Sequence, residues 1–355
     1  MTVTETRSSR RMARNDPKVS GRATTPVTML VDAYDCALFD LDGVVYLGPR
    51  AVPGAAEGIK ALRARGVRVG FVTNNAARTP ATVAEHLTEL GVSAEVTDVV
   101  TSSQAGARMV ATQLPPGSRV LIVGTRALAA EVASVGLEPV WRSSDDPAAV
   151  LQGYDPEMTW PRLDDACFAI QAGARWFATN TDLNRPTDRG RVPGAGAQIA
   201  AVASSVDVAP EVAGKPCRPL LDETVRRLDA HHPIFVGDRI DTDIMGAHAV
   251  GMDSLFVFTG THGKYDLATA DAPGRPTHIG ADLRALLQPP RVASVDHLVA
   301  TCGLQRVELD GVRTRLLSAP DTLETQLDAL WASLHLVWAH PGAGFEALDQ
   351  LSLIG

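Results

Sequence analysis

The chain has 355 residues, enough for about two to three domains and a large core. Its apolar fraction of 45% and charged fraction of 21% are those of a soluble globular protein. A net charge of -8 argues against a nucleic-acid face, which is normally basic. The four cysteines (Cys36, Cys167, Cys217, Cys302) have no C-x-x-C spacing. They fit neither a zinc site nor a disulfide scaffold and point to a reducing cytoplasm. No stretch approaches the roughly 20 apolar residues of a membrane span.

The elements, taken in chain order, alternate strand and helix. Residues 1–33 read as a disordered basic tail, with Arg7, Arg10, Arg11, Arg14, Lys18 and Arg22 and no apolar signal region. Ala37–Phe39 reads as a buried strand. Pro53–Arg65 carries apolar residues at helical spacing and stops at Gly66. Val67–Val72 is a second strand, and Thr79 with Pro80 opens a helix that Gly91 ends. A short strand is predicted at Asp98–Val100. Residues 102–183 read as a separate α/β unit. Its strands are Arg119–Val123, Leu137–Val140, Ala149–Tyr154 and Trp176–Ala178, and its helices Ala127–Val135 and Arg162–Ala172. The first pattern then resumes over 184–286. Helices are predicted at Gly196–Ser204, Leu220–Leu228 and Asp243–Val250, and strands at Pro233–Val236 and Ser254–Phe258. Pro289-Pro290 marks a linker to an acidic segment, 287–355, in which one apolar helix stands out near Leu323–Leu336. The whole reads as a parallel α/β sheet interrupted by a second α/β unit, with a small α/β addition.

Four short stretches carry residues suited to chemistry. The run Leu38-Phe39-Asp40-Leu41-Asp42-Gly43 ends a strand with two carboxylates and a glycine. One carboxylate can attack a phosphorus while the other carries the proton, and the glycine lets the backbone approach a ligand. Thr73-Asn74 follows the next strand, where a hydroxyl and turn N–H groups cradle phosphate oxygens. Gly214-Lys215-Pro216 offers an ammonium that neutralises phosphate and restrains an aspartate. Only four lysines occur (Lys18, Lys60, Lys215, Lys264), so Lys215 stands out. Gly237-Asp238 follows another strand and runs into Asp241 and Asp243. Asp238 there can meet Mg²⁺, and Asp243 can support its water shell or Lys215. Singly, each has a plain reading: an acidic turn, a capped turn, a surface-loop lysine, and an acidic helix N-terminus that accounts for Asp241 and Asp243 but not for Gly237-Asp238. Jointly, Asp40, Thr73 and Asp238 fall on one sheet edge, the edge at which open α/β sheets bind ligands.

In this order the four stretches resemble the motifs of the haloacid dehalogenase (HAD) phosphatase superfamily. The forms Asp40-Leu41-Asp42-Gly43-Val44-Val45-Tyr46, Thr73-Asn74-Asn75 and Ala178-Thr179-Asn180-Thr181-Asp182 are similar to the subgroup of NagD-type nucleotidases, 4-nitrophenylphosphatases, and phosphoglycolate and pyridoxal phosphatases. The resemblance covers about Tyr34–Leu286. It implies a Rossmann-like HAD core (34–101 and 184–286) with an inserted C2-type cap (102–183). It implies Asp40 as nucleophile, Asp42 as acid and base, and Thr73, Lys215 and Asp243 as supporting catalytic residues. It implies Mg²⁺ held by Asp40, the Asp42 carbonyl and Asp238. Thr73, Asn74, Asn75 and Lys215 would bind substrate, with Asn180 and Asp182 near the cap's return to the core.

The expected substrate is a small phosphorylated metabolite. The arginine-rich composition and the extra C-terminal segment are similar to the actinobacterial branch. That makes glycerol 3-phosphate the first expectation, with phosphoglycolate, pyridoxal phosphate and nucleotides as alternatives. A homo-oligomer is a possible partner state; nucleic acid and a membrane span are not expected. A protein that keeps the fold but acts through its C-terminal segment is the competing class. That segment has some likeness to a fragment of an N-acetyltransferase fold. It lacks the [Arg/Gln]-x-x-Gly-x-[Gly/Ala] pattern that binds a pyrophosphate, so acetyl transfer is not expected. Pro193-Gly194-Ala195-Gly196 reads as a helix start rather than a dinucleotide loop, because no strand precedes it.

Overall fold

The computed structural model describes residues 29–187 and 190–354. Three sheets organise them. The first has six parallel strands in the spatial order His278–Gly280, Asp253–Val257, Pro233–Gly237, Cys36–Phe39, Arg68–Thr73 and Val99–Thr101. Cys36–Phe39 is central and buried throughout, as a strand covered on both faces must be. The chain leaves it in one direction toward Val99–Thr101 and later returns on its other side. The strand order therefore reverses at Cys36–Phe39, and Asp40 stands at the carboxyl end of that strand. This is the crevice where such sheets bind ligands.

The second sheet has five parallel strands in the order Glu211–Val212, Arg175–Ala178, Ala149–Gln152, Arg119–Val123, Glu138–Val140. Its boundary differs from the expected 102–183. Strand Glu211–Val212 pairs with Phe177 and Ala178, and helix Ala195–Ala203 packs Ile199 and Val202 into this unit's core. Residues up to about Val212 thus belong with the cap sheet. The strand is only two residues long and half polar, too weak a pattern to read before the partner is known. Helix Ser102–Ala111, absent from the predicted elements, is shared: Ala105 faces the first sheet's core and Val110 the second's.

The third unit has the α/β character expected of 287–355 and adds strands absent from the predicted elements. Beside helix Leu323–Ala339 it carries four antiparallel strands: Ala293–Asp296, Val299–Cys302, Gln305–Asp310 and Arg313–Leu316. Arg306, Glu308 and Arg315 alternate outward there, so the strands lack an apolar run. The N-terminal expectation is also corrected in part. Leu30–Ala33 forms a helical turn with Leu30 and Val31 buried and the Leu30 N–H donated to the Gln288 carbonyl, so order begins before residue 34. Residues 1–28 of the expected tail lie outside the described residues. Among the described residues no helix is long and apolar enough to cross a membrane.

Candidate active site

Gly43 sets the geometry of the first motif. It takes φ of +95°, and a Cβ there would stand 2.5 Å from the Asp238 carboxyl carbon. Gly260, on the loop after Asp253–Val257, is tighter still: its Cβ would lie 2.0 Å from Asp238 Oδ2. Two glycines thus open the space in which Asp238 sits beside the Asp40 strand end. Oδ2 accepts the Thr261 N–H at 2.6 Å, whereas Oδ1 is buried with no partner among the described residues.

Lys215 is almost fully buried and spans the gap between two acids. Its Nζ donates to Asp40 Oδ1 at 2.6 Å and to Asp243 Oδ1 at 2.8 Å, and it lies 4.9 Å from the Phe235 ring centroid. Burial alone would lower its pKa, but the charges of Asp243 and Asp40 and their hydrogen bonds hold it above the ordinary lysine value. Asp243 therefore supports Lys215. It reaches this position because one wide helical turn, Ile240–Ile244, precedes helix Met245–Val250; the predicted helix start at Asp243 misses that turn.

Asp40, Asp238 and Asp243 place carboxylate oxygens within 4.8 Å of one another. One lysine cannot balance three buried carboxylates. Burial, then the neighbouring Asp243 and Asp238, push the Asp40 carboxyl well above the usual range, with Lys215 opposing. The charge deficit, the all-oxygen donor set and the orphaned Asp238 Oδ1 fit a hard divalent cation such as Mg²⁺. Asp238 itself is pushed up to about 7, first by burial and then by Asp243, against the Thr261 N–H and Lys215.

A carboxyl raised in the folded state binds more protons there than when unfolded, so it costs stability as pH rises. In EDTA, wild type should lose thermal stability relative to Asp238→Asn between about pH 4 and pH 7, and Mg²⁺ should remove the loss. Melting curves of the two proteins across that range check this; parallel pH profiles in EDTA would contradict it.

Asp42 opens onto the cleft, yet desolvation still raises its carboxyl above the ordinary range against Arg78, Lys215 and His86. A carboxyl that retains its proton is suited to donate it. Thr73 Oγ1 accepts the Asn75 N–H at 3.1 Å, which leaves the hydroxyl proton for an anion.

The asparagines line the cleft, and their side chains also hold its loops together. Asn74 Oδ1 accepts the Lys215 N–H at 2.9 Å, and its Nδ2 donates to the Lys215 carbonyl at 3.1 Å and to Asp182 at 3.3 Å. Its side chain is a strut for the lysine loop. Asn180 donates to the Asn74 carbonyl at 2.7 Å and accepts the Asp182 N–H at 3.1 Å, which makes it a turn residue. Asn75 Oδ1 accepts the Ala77 N–H. Asp182 is half-buried and raised by desolvation, with Arg239 and Asn74 pulling it down.

All these residues line or adjoin one cleft of about 890 Å³ between core and cap. Its other walls escape sequence reading. Arg239 clasps Asp241 with Nε and Nη2. Arg185 Nε donates to the Tyr154 hydroxyl at 3.1 Å and stacks over its ring. Leu47 and Arg50 come from the small hairpin Tyr46–Leu47 and Arg50–Ala51. Arg239 directly follows Asp238 and could have been found from that position; Tyr154, Arg185 and Arg50 carry no local signal.

A carboxylate at the switch point of a parallel sheet, a lysine across it and an acid cluster beside it define a hydrolase of the haloacid dehalogenase type. The chain belongs to that family. The haloacid dehalogenase-like hydrolase profile matches residues 37–138 and the HAD-hydrolase-like profile residues 212–286. It is 48% identical over 266 residues to the D-glycerol 3-phosphate phosphatase of Mycobacterium tuberculosis, covering 75% of this chain and 74% of that one. It is 34% identical to the acid sugar phosphatase of Staphylococcus aureus over 70% of this chain and 95% of that protein. The crystal structure of the glycerol phosphate phosphatase of M. tuberculosis with magnesium superposes with a TM-score of 0.83 at 41% identity, covering 92% of this chain and 99% of the other. A match that long must include most of residues 287–355.

Proposed function

We propose that this protein is a Mg²⁺-dependent phosphatase that hydrolyses glycerol 3-phosphate through an aspartyl-phosphate. The observation that carries the chemistry is the Lys215 bridge to Asp40, with Asp42 two residues on and the unpartnered Asp238 oxygen beside it. The substrate reading is supported by the M. tuberculosis relatives, named for glycerol phosphate.

In the first half-reaction an Asp40 carboxylate oxygen attacks the phosphorus, forming the O–P bond as the ester P–O bond breaks. Asp42 gives its proton to the departing glycerol alkoxide. In the second, Asp42 takes a proton from water as that water attacks the same phosphorus. The Asp40 O–P bond breaks, and inorganic phosphate leaves. Lys215 and the Thr73 hydroxyl offset charge on the phosphoryl oxygens, where electrostatic positioning does most of the work. Mg²⁺, held by Asp40, Asp238 and the Asp42 carbonyl, would supply further neutralisation of that charge. The cap closes the cleft over the reacting groups and limits water. The four unpaired cysteines favour a reducing, cytoplasmic setting.

The test is phosphate release from glycerol 3-phosphate, phosphoglycolate, pyridoxal phosphate and a nucleotide, each with Mg²⁺ and with EDTA, ranked by kcat/KM. Glycerol 3-phosphate should lead and EDTA should suppress all four. A different leader corrects the substrate; release undiminished by EDTA overturns the metal dependence.

Asp42→Asn tests the acid. It should slow glycerol 3-phosphate turnover by roughly 10²- to 10⁴-fold. It should slow formation of the aspartyl-phosphate from 4-nitrophenyl phosphate far less, since nitrophenolate leaves without a proton. Stopped-flow detection of the nitrophenolate burst reads the difference; equal losses on both esters would remove Asp42 from this role.

A further inference from the structure

The loop that holds Asp238 is itself held by the C-terminal segment. Thr261 donates its N–H to Asp238 Oδ2 at 2.6 Å, and the His262 N–H reaches the Asp238 carbonyl at 3.3 Å. His262 Nδ1 also accepts the Ile240 N–H at 2.9 Å, joining this loop to the turn that follows Asp238. Two residues after His262, helix Lys264–Ala268 begins. Lys264 is buried, and its Nζ donates to the carbonyls of Leu351 at 2.6 Å and Ile354 at 3.0 Å. Tyr265 gives its hydroxyl proton to Asp349 at 2.7 Å, and Trp338 Nε1 donates to the Leu267 carbonyl at 3.0 Å. Ile240 and Ile244 share a hydrophobic cluster with Leu330, Trp331, Leu351 and Ile354.

We propose that Lys264 is a positioning residue for the metal site, anchored by residues 349–354. It fixes the first turn of helix Lys264–Ala268, and with it the Thr261 N–H on Asp238 Oδ2. This inference rests on the reading of Asp238 as a metal-holding residue. The choice of side chain supports it. A buried ammonium whose hydrogen bonds among the described residues go to carbonyls, with the Tyr265 ring 5.4 Å away, is costly, and a leucine or methionine would fill the same space more cheaply. Two directional bonds to carbonyls three residues apart do what an apolar side chain cannot: they set the register of the segment against the helix. The carboxylate's orientation is then set two links away, as outer partners set it at metal sites generally.

The experiment is calorimetric titration of Mg²⁺ into the full chain and its variants. Lys264→Met should weaken Mg²⁺ binding by about tenfold, the lower end of outer-partner effects. Its kcat at saturating Mg²⁺ should stay within about twofold of wild type, since no reacting group moves once the site is filled. Tyr265→Phe removes one exposed bond and should weaken binding in the same direction by a smaller factor. A folded Lys264→Met with a lower melting temperature and unchanged Mg²⁺ affinity overturns the proposal, because plain packing predicts that result. Should Lys264→Met not fold, amide exchange in Tyr265→Phe decides. Faster exchange at Thr261 and His262 supports the linkage, and unchanged exchange overturns it. Asp238→Asn separates the two readings. If it binds Mg²⁺ as well as wild type, the metal reading of Asp238 fails. If it loses Mg²⁺ while Lys264→Met does not, only the linkage fails.

Discussion

Asp40→Asn should lower phosphate release by roughly 10⁴-fold or more, while its melting temperature in EDTA holds or rises. An amide oxygen is a poor nucleophile and forms no stable phosphoryl adduct, so the loss falls on kcat rather than on KM. Stability moves the other way for an electrostatic reason. Asp40, Asp238 and Asp243 crowd their oxygens within 4.8 Å, and Lys215 supplies one positive charge. Removing one carboxylate relieves repulsion and leaves Lys215 paired with Asp243. Phosphate-release kinetics and a thermal melt on the same preparation read both arms. Undiminished turnover would remove Asp40 as the nucleophile. Lost turnover with a collapsed melting temperature would mean that the substitution damaged the fold and not the chemistry.

The second large effect is expected at Lys215. Lys215→Met leaves Asp40 and Asp243 buried without their cation, a defect that costs about 3–5 kcal/mol when one partner of a buried pair is removed. Turnover should fall by roughly 10²- to 10³-fold, the scale seen when one group that stabilises transition-state charge is deleted. The pH dependence follows from the stranded acids. Lys215 holds the Asp40 carboxyl down, so without it Asp40 binds protons more readily, and the variant's stability deficit should shrink as pH falls toward 5 and grow toward 8. Lys215→Met with Asp243→Asn should recover much of the stability and none of the activity. Denaturant melts at two pH values and steady-state kinetics check these outcomes. A deficit that does not change with pH would show that Lys215 acts through packing against Phe235 rather than through charge.

Much of the site is legible in the chain because it sits at strand ends. Cys36–Phe39 and Pro233–Gly237 are short apolar runs, each followed at once by an aspartate, and Arg68–Thr73 ends on its threonine. Local patterning finds such positions, and parallel topology brings their carboxyl ends to one edge. Lys215 is legible by rarity and by its glycine and proline neighbours. The division of labour among the asparagines is not. Asn74 faces Lys215 across 141 residues and Asp182 across 108, and no spacing rule reports such partners.

The sequence by itself determined the reaction type. The proposed nucleophile and acid, the lysine and the acid cluster are short-range patterns tied to elements whose type is set by local hydrophobic periodicity. Tertiary structure alone decided three other things. It drew strand Glu211–Val212 into the cap sheet, because a two-residue strand exists only through its partner. It built the cleft wall from Tyr154, Arg185, Arg239 and Arg50, which meet only when cap and core close on each other. It also joined the C-terminal segment to the side of the core that carries the turn after Asp238, where buried apolar side chains from Ile240 to Ile354 share one cluster. Hydrophobic burial is non-directional and ignores distance along the chain, so which faces meet is written nowhere in the local pattern.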